Sequence, residues 1–429
     1  MSCKSRVVDM RVKVAAAAPG NARHGVGRTH YGALPMSYQF ASRTAGLRSS
    51  AIRDLLKVTE MSDMLSLAGG LPTPDSFPLP DLRREADRLL GEFGPRVVQY
   101  SATDGVIELR QWIAETASVE LGRQVAVEGQ IIVTHGSQQA LDLLAKILVD
   151  PGDVVVSESP AYLGAVQSLE LFQPRFEVIP GDEHGMQVEL LAERLAAGLR
   201  PKLVYVVPNF HNPSGATMSL ERRRHLATLA DQYDLLVVED DPYGAIRFAG
   251  EALPPVASFS ERVVYLSTFS KIVAPGFRVG WMIGPPEVMS WVARAKQAAD
   301  LHTSTFAQLL LANVMARPGW LDEQKTRIVP MYRERCHALA DALEAQLGDR
   351  IRFHRPDGGM FLWSEFPGIA DTTVLLQKAL QEGVAFVPGN AFTIDQLPDS
   401  KARFSYSTLS PEQLGVAVDR LTRAVDSLA

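Results

Sequence analysis

The sequence contains little cysteine, no long apolar run and no excess of basic residues. Only Cys3 and Cys336 occur among its 429 residues, which excludes a disulfide scaffold and gives no zinc-ligand spacing. No stretch approaches the ~18 consecutive apolar residues that cross a membrane. The 43 Lys and Arg residues are outnumbered by 49 Asp and Glu residues, which argues against nucleic acid as the main partner. These absences leave a cytoplasmic enzyme with no bound metal as the expectation.

The composition is that of a folded chain with more than one domain. Hydrophobic residues make up 46% of the sequence, so most of it can bury a core, and its length suits two or three domains at about 150 residues each. Residues 1–45 are basic and nearly free of acidic side chains, without amphipathic periodicity. We expect them to be a disordered extension; a targeting peptide, or a true start at Met36, are the alternatives.

Strand-length apolar runs alternate with segments of helical periodicity from about residue 50 onward. This order is typical of βαβ units and predicts an α/β fold with a mostly parallel, doubly wound sheet. We expect an arm at 46–80 that contributes to the small domain, a large domain at 81–315 and a smaller α+β domain at 316–429. The predicted strands cover 130–134, 153–157, 203–207, 235–239, 263–267, 278–283, 351–353, 360–364, 385–388 and 402–407, and the predicted helices 137–148, 220–233, 288–299 and 320–347, with a last one from Pro411.

A lysine surrounded by hydroxyl residues follows the strand at 263–267. Lys271 stands after Thr268 and Ser270, and Arg278 follows seven positions later. A lysine that attacks a carbonyl must be partly desolvated so that its amine is neutral. Thr268, Ser270 and Arg278 together could bind a phosphate. A surface lysine in a polar loop is the alternative.

Acidic residues follow the apolar run that begins at Leu235. Asp240 lies at the carboxyl end of this strand, where its carboxylate could pair with a heterocyclic nitrogen and keep it protonated. Tyr243 could reach a neighbouring phenolic oxygen. The alternative is a turn or helix N-cap formed by Asp241 and Pro242.

Two further strand ends carry polar or aromatic residues. Asn212 lies in a proline-rich loop, where it could bind a cofactor oxygen or form an ordinary Asx turn; we interpret His211 beside it as a loop residue. Ser137 and Gln138 open a helix after Thr134-His135-Gly136, which suits a phosphate unless Ser137 only caps the helix. Tyr162 could stack on a flat ring or belong to the core.

Taken together, these segments resemble the fold-type I pyridoxal-phosphate enzymes, and specifically the class I/II aminotransferases of the branch that holds 2-aminoadipate and kynurenine aminotransferases. The resemblance covers about residues 50–427. It includes further motifs: Leu67-Ala-Gly-Gly70-Leu-Pro, Gln99-Tyr100-Ser, Pro356-Asp-Gly-Gly-Met-Phe361-Leu-Trp, Val387-Pro-Gly389 and Arg403-Phe-Ser-Tyr-Ser. His135 is atypical and has no role that the family implies.

The resemblance implies a role for each matching residue. Lys271 would bind pyridoxal 5′-phosphate covalently and shuttle the proton, and Arg403 would clamp the substrate carboxylate, with Gly70 also at the substrate. Arg53 matches a position that meets the substrate side chain in relatives that use dicarboxylates, or else forms a helix-surface salt bridge. The remaining cofactor ligands would be Asp240 at the ring nitrogen, Asn212 and Tyr243 at the phenolic oxygen, Tyr162 on the ring, and Ser137, Gln138, Thr268, Ser270, Arg278 and the partner subunit's Tyr100 at the phosphate.

The resemblance therefore implies a homodimeric aminotransferase that exchanges amino groups between amino acids and 2-oxo acids, with glutamate and 2-oxoglutarate as the shared pair. Aromatic, arylglycine, branched-chain and 2-aminoadipate substrates remain open, because entrance loops decide among them. Two alternatives also remain: a pyridoxal enzyme of another reaction type, such as a β-lyase or cyclase, and a transcription regulator. A regulator would need a winged helix-turn-helix ahead of the domain, where only about 45 irregular residues stand.

Overall fold

A computed structural model of the chain describes residues 38–47, 55, 63–395 and 397–428. Most of the predicted extension (residues 1–37) lies outside these residues, and so does Arg53. The described residues from Arg43 onward form one compact unit. Among the described residues, no helix is long and apolar enough to cross a membrane.

An eight-stranded sheet forms the centre of this unit, in the order β2-β9-β8-β7-β6-β3-β4-β5. Strands β9 and β5 run antiparallel to their neighbours, and the pairs β8-β7, β7-β6, β6-β3 and β3-β4 are parallel. This confirms the predicted α/β fold with a mostly parallel sheet. The strands are β2 (Ile131–Thr134), β3 (Val154–Ser159), β4 (Arg175–Asp182), β5 (Gly185–Met186), β6 (Leu203–Val206), β7 (Val237–Asp240), β8 (Val263–Thr268) and β9 (Gly280–Ile283).

Both faces of this sheet are buried, which explains why its strands are almost continuously apolar. In β6, Val204 and Val206 join one hydrophobic cluster, whereas Leu203 and Tyr205 join another on the opposite face. The helices of this part are α1 (Leu79–Val97), α2 (Ile107–Leu121), α3 (Val127–Gln130), α4 (Ser137–Leu148), α5 (Leu163–Glu170), α6 (Val188–Ala196), α7 (Leu220–Tyr233), α8 (Pro286–Ala299) and α9 (Thr305–Met315).

The last hundred residues build a second, four-stranded antiparallel sheet in the order β10-β11-β14-β13. A hydrophobic cluster of its own, with Leu339, Leu362 and Phe404, packs between this sheet and the long helix. The elements are α10 (Trp320–Leu347), β10 (Arg352–Phe353), β11 (Phe361–Glu365), α11 (Thr372–Gln381), β12 (Val384–Ala385), β13 (Val387–Pro388), β14 (Lys401–Ser405) and α12 (Pro411–Asp426). Separate sheets and clusters agree with a large and a small domain, but the boundaries at 80 and 315 stay a prediction.

One predicted strand, 385–388, is wrong as a single element. Val384–Ala385 pairs with β1 (Leu65–Ser66) in a two-stranded sheet, and Val387–Pro388 pairs with β14 in the four-stranded sheet. The two halves face different neighbours, and a pattern along one strand cannot reveal a change of pairing partner. The short pairing with β1 attaches residues 65–66 to the C-terminal part of the chain.

Candidate active site

Strands β3, β6, β7 and β8 end at the same edge of the sheet, because they run parallel. Ligands of such sheets bind at this edge. Lys271 follows the end of β8, and its Nζ donates a hydrogen bond to the carbonyl oxygen of Gly70 at 2.8 Å. The same Nζ lies 5.8 Å from the centre of the Tyr243 ring. The structure thus brings Lys271, Gly70 and Tyr243 together.

The amine of Lys271 is tuned toward its neutral form. Burial lowers its pKa to about 8, and the nearby positive charges of Arg403 and Arg278 act in the same direction. A neutral amine is the nucleophilic form of lysine. Burial therefore favours the form of Lys271 that attacks a carbonyl, as the predicted role requires.

Asp240 ends β7 with one carboxylate oxygen unpartnered. Its Oδ2 accepts a hydrogen bond from the Tyr205 hydroxyl at 2.9 Å, whereas Oδ1 is buried and has no hydrogen-bond partner. Burial raises the pKa of Asp240 to about 6, against the lowering effects of the Tyr205 and Ser137 hydroxyls. Buried polar atoms are normally paired, so Oδ1 marks a place for a donor from outside the chain, such as a protonated ring nitrogen.

Asn212 connects Tyr243 to Arg403. Its Nδ2 donates to the Tyr243 hydroxyl at 3.5 Å, and its Oδ1 accepts from Arg403 Nη1 at 2.7 Å. The rigid loop that follows β6 fixes this side chain between the large and the small sheet. The Asn212 side chain is therefore more than an Asx turn, since it makes long-range contacts with both elements.

Arg403 enters the site from β14 and is 1% exposed. Its Nη2 donates to the carbonyl oxygen of Ala68 at 2.6 Å, while Nε has no partner. The guanidinium carbon lies 4.3 Å from the centre of the Phe361 ring and 4.9 Å from that of Phe392. Burial lowers the pKa of Arg403 to about 10. Even so, the side chain stays charged at neutral pH and is held in a desolvated cage.

The turn before α4 forms a second polar pocket. Gly136 is the N-cap residue with φ 73°, and no side chain caps this helix. The alternative that Ser137 only caps α4 is therefore wrong, because Ser137 lies inside the helix and its buried hydroxyl approaches the Asp240 carboxyl group without a well-formed hydrogen bond. The first N–H groups of a helix also lack intrahelical acceptors and attract anions. This pocket suits a phosphate.

The other predicted phosphate ligands lie around the same turn, with one difference in detail. Arg278 is exposed, and its Nη2 donates to the His135 carbonyl oxygen at 3.3 Å. The Thr268 and Ser270 hydroxyl oxygens lie 2.9 Å apart. The amide of Gln138, however, donates to the Gly164 carbonyl oxygen at 2.8 Å and to Ser168. Only the backbone N–H of Gln138 is therefore placed for an anion.

Of the remaining predicted residues, Tyr162 joins this site and Tyr100 does not. Burial raises the pKa of Tyr162 to about 12, and the charges of Asp240, Arg403 and Arg278 all act on it. Tyr100 is 76% exposed and packs edge-to-face on His302, with ring centres 5.6 Å apart. Arg53 lies outside the described residues.

Sequence reasoning missed Tyr205, Phe361 and Phe392 as parts of the site. Tyr205 looks like an ordinary apolar strand residue, and only the pairing of β6 with β7 brings its hydroxyl to Asp240. Phe361 belongs to a family motif, which could have drawn attention to it. No local pattern predicts the packing of two rings on Arg403.

A cavity of about 460 Å³ opens near His211 and Trp363, and none of the catalytic candidates Lys271, Asp240 and Arg403 lines it. Burial lowers the pKa of His211 to about 3, so its ring remains neutral. His211 Nδ1 lies 2.8 Å from Ser214 Oγ. These contacts fit the prediction that His211 is a loop residue, although they do not test it.

Comparison with known proteins identifies relatives over nearly the whole chain. Residues 62–421 match the family described as aminotransferase class I and II. An aromatic-amino-acid aminotransferase 1 of Thermococcus litoralis is 39% identical, over 90% of this chain and 94% of that protein. A 2-aminoadipate transaminase of Thermus thermophilus is 37% identical, over 92% of this chain and 98% of that protein.

Comparison with solved structures also identifies an aminotransferase. The crystal structure of a Pyrococcus horikoshii kynurenine aminotransferase, determined with pyridoxamine phosphate, kynurenine and kynurenic acid, superposes with a TM-score of 0.86. It is 37% identical in sequence, and the match covers 91% of this chain and 97% of that one.

Proposed function

Because the chain belongs to the class I and II aminotransferase family and is a pyridoxal-phosphate-dependent enzyme, we propose that it transfers the amino group of an aromatic, arylglycine or 2-aminoadipate-like amino acid to a 2-oxo acid. Glutamate and 2-oxoglutarate serve as the shared pair. The names of its relatives, which cover aromatic amino acids, 2-aminoadipate and kynurenine, support this substrate range.

The observation that carries the proposal is that the buried Lys271 amine lies at the same sheet edge as two candidate subsites of opposite character. One is at the buried Oδ1 of Asp240, and the other is at the Ser137 hydroxyl near the turn at Gly136; neither atom has a hydrogen-bond partner of good geometry. A ring nitrogen fits the first subsite and a phosphate fits the second. The residues present therefore match the two ends of pyridoxal phosphate.

The bound cofactor supplies an electron sink for the bond that the substrate must break. Asp240 would hold the ring nitrogen protonated, and Tyr162 would cover the ring. The phenolic oxygen would be bound by Asn212 and Tyr243. The phosphate would be held by Ser137, the Gln138 N–H, Thr268, Ser270 and Arg278.

Lys271 moves the proton in this reaction. As a neutral amine it would accept the proton from the substrate α-carbon and hold it at Nζ for the transfer that completes the reaction. A pKa of about 8 lies close to working pH, as general acid–base catalysis requires. Arg403 would bind the α-carboxylate with its guanidinium fork. Any side chain at Gly70 would displace the Phe361 ring that packs on Arg403, since a Cβ there would lie 2.6 Å from Phe361 Cζ.

The proposal also covers the assembly of the enzyme and its location. Tyr100 is exposed in the single chain, as expected for a residue that reaches the phosphate of a second copy, so the enzyme acts as a homodimer with shared sites. We place it in the cytoplasm, with no role in binding nucleic acid or membranes.

A panel of amino donors, each assayed with 2-oxoglutarate, tests the substrate range. Aromatic amino acids, arylglycines and 2-aminoadipate should give the highest kcat/KM values, and glutamate should form from 2-oxoglutarate in every productive pair. The Lys271→Ala variant is the control that should show no turnover. Activity confined to donors outside these three groups, or release of ammonia instead of glutamate, would contradict the proposal. Ammonia release would favour a lyase.

A further inference from the structure

Lys296 on α8 is a charged residue with no exposed surface and with no role in the site described above. Its Nζ donates to Gln139 Oε1 at 2.9 Å, to Thr303 Oγ1 at 3.1 Å, and to the two oxygens of Asp300 at 3.0 and 2.9 Å. Burial of an ammonium group is costly unless it is paired and fully hydrogen-bonded. A buried ammonium group with this many hydrogen bonds indicates that Lys296 holds its neighbours in place.

The partners of Lys296 extend to His135, directly before the turn at Gly136. The His135 N–H donates to Gln139 Oε1 at 2.9 Å, and His135 Nδ1 lies 3.3 Å from Asp300 Oδ2. The Gln139 amide donates to the same Asp300 oxygen at 2.7 Å. Lys296, Asp300, Gln139, Thr303 and His135, hereafter the Lys296 cluster, thus attach the end of β2 to the end of α8.

The segment that this cluster holds carries one proposed phosphate ligand, Ser137, and contacts another, Arg278. The His135 carbonyl oxygen accepts from Arg278 Nη2 at 3.3 Å, and Ser137 follows the turn with its unpartnered hydroxyl. The contact at the turn is tight, because a Cβ at Gly136 would lie 2.7 Å from Arg278 Nη2. A shift of the turn would therefore displace Arg278 and Ser137 together.

We propose that Lys296 is a positioning residue for the cofactor phosphate. It touches neither cofactor nor substrate, and it acts through Asp300 and Gln139 on His135. With Lys296 removed, the Asp300 carboxylate loses its cation and the Gln139 carbonyl oxygen loses a donor. Both side chains then change their hydrogen bonds to His135, and the turn at Gly136 moves. The inference rests on the proposed assignment of Ser137 and Arg278 to the phosphate, and it gives His135 a part in the site.

The test compares two ligands that differ only in the phosphate. Purified protein freed of cofactor is titrated with pyridoxal phosphate and, separately, with pyridoxal, and binding is followed by absorbance. Lys296→Met keeps the length and burial of the side chain but removes its charge and donors. We expect the dissociation constant for pyridoxal phosphate to rise about 10- to 100-fold, the range found when the outer-shell partners that orient metal ligands are lost. The constant for pyridoxal should change by no more than about two-fold.

A matched control is Lys146→Met on α4. Lys146 also pairs with an aspartate four residues away, since its Nζ lies 3.2 Å from Asp142 Oδ2, but it is 43% exposed. This variant should bind both ligands like the parent protein. An equal loss of both ligands in Lys296→Met, or no loss of either, would overturn the inference.

Two further variants keep the result decisive. Circular dichroism checks whether Lys296→Met folds. If it does not, Asp300→Asn, which keeps the side-chain shape, takes its place and must show a smaller but still phosphate-selective loss of binding. If Asp300→Asn shows no such selective loss, the inference is refuted. Ser137→Ala tests the underlying assignment separately. A selective loss in Ser137→Ala without one in the Lys296 and Asp300 variants rejects only the positioning role, whereas no selective loss in Ser137→Ala rejects the phosphate pocket itself and the inference with it.

Discussion

Replacement of Arg403 by lysine tests the carboxylate clamp most sharply. The guanidinium is 1% exposed and makes bonds of 2.7 Å to Asn212 and 2.6 Å to the Ala68 carbonyl oxygen. Lysine cannot present two parallel N–H groups to a carboxylate, and it lacks the planar guanidinium that packs on the rings of Phe361 and Phe392. We expect Arg403→Lys to lose about 2–4 kcal/mol of transition-state stabilisation, a decrease in kcat/KM of about 30- to 900-fold.

The loss should be similar for every amino acid, because all of them carry the same α-carboxylate. Steady-state kcat/KM for phenylalanine, glutamate and 2-aminoadipate measures it, with Arg335→Lys as the control. Arg335 is also buried, and it donates to the Ser407 carbonyl oxygen at 2.8 Å, so this variant reports the general cost of an arginine-to-lysine change in the interior. Unchanged kcat/KM in Arg403→Lys, or losses that follow the side chain of the substrate, would refute the reasoning.

Four further outcomes are expected. Borohydride reduction and peptide mapping should place the pyridoxyl label on Lys271, and a label on another residue would contradict the cofactor site. The rate at which pyridoxal phosphate attaches to the cofactor-free protein should rise with pH and level off above about pH 8, because the lowered pKa of Lys271 makes the amine neutral there; a rise that continues toward pH 10.5 would indicate an exposed lysine. Arg53→Ala should reduce activity with glutamate or 2-aminoadipate far more than with phenylalanine, and equal losses would make Arg53 a scaffold residue. Deletion of residues 1–35 should leave activity and solubility intact, and a large loss in either would show that this segment is part of the structure.

Much of the fold could be predicted because helical periodicity and strand-length runs are local signals. The predicted helices 137–148, 220–233 and 320–347 agree with Ser137–Leu148, Leu220–Tyr233 and Trp320–Leu347 residue for residue. The polar residues that follow β6, β7 and β8 could also be placed at one edge, since parallel strands bring their carboxyl ends together.

The rest depends on contacts between distant segments. Tyr205 reaches Asp240 only because Tyr205 stands opposite Val238 in the pairing of β6 with β7. The cage around Arg403 combines residues of β11 and of the turn at Gly389–Phe392. The Lys296 cluster joins His135 and Gln139 to residues 296–303, which stand more than 150 positions later in the sequence. Neither propensity nor periodicity along the chain contains this information.

The central claim is that the Lys271 site transfers an amino group to its cofactor and retains it. The most direct measurement mixes the purified holoenzyme with a reactive amino acid and no 2-oxo acid, and then quantifies the products by chromatography. We expect one equivalent of the 2-oxo acid and one of pyridoxamine phosphate per chain, without further turnover, and neither product from Lys271→Ala. Continuous product formation with the cofactor still in its aldehyde form, or equal product from Lys271→Ala, would contradict the claim.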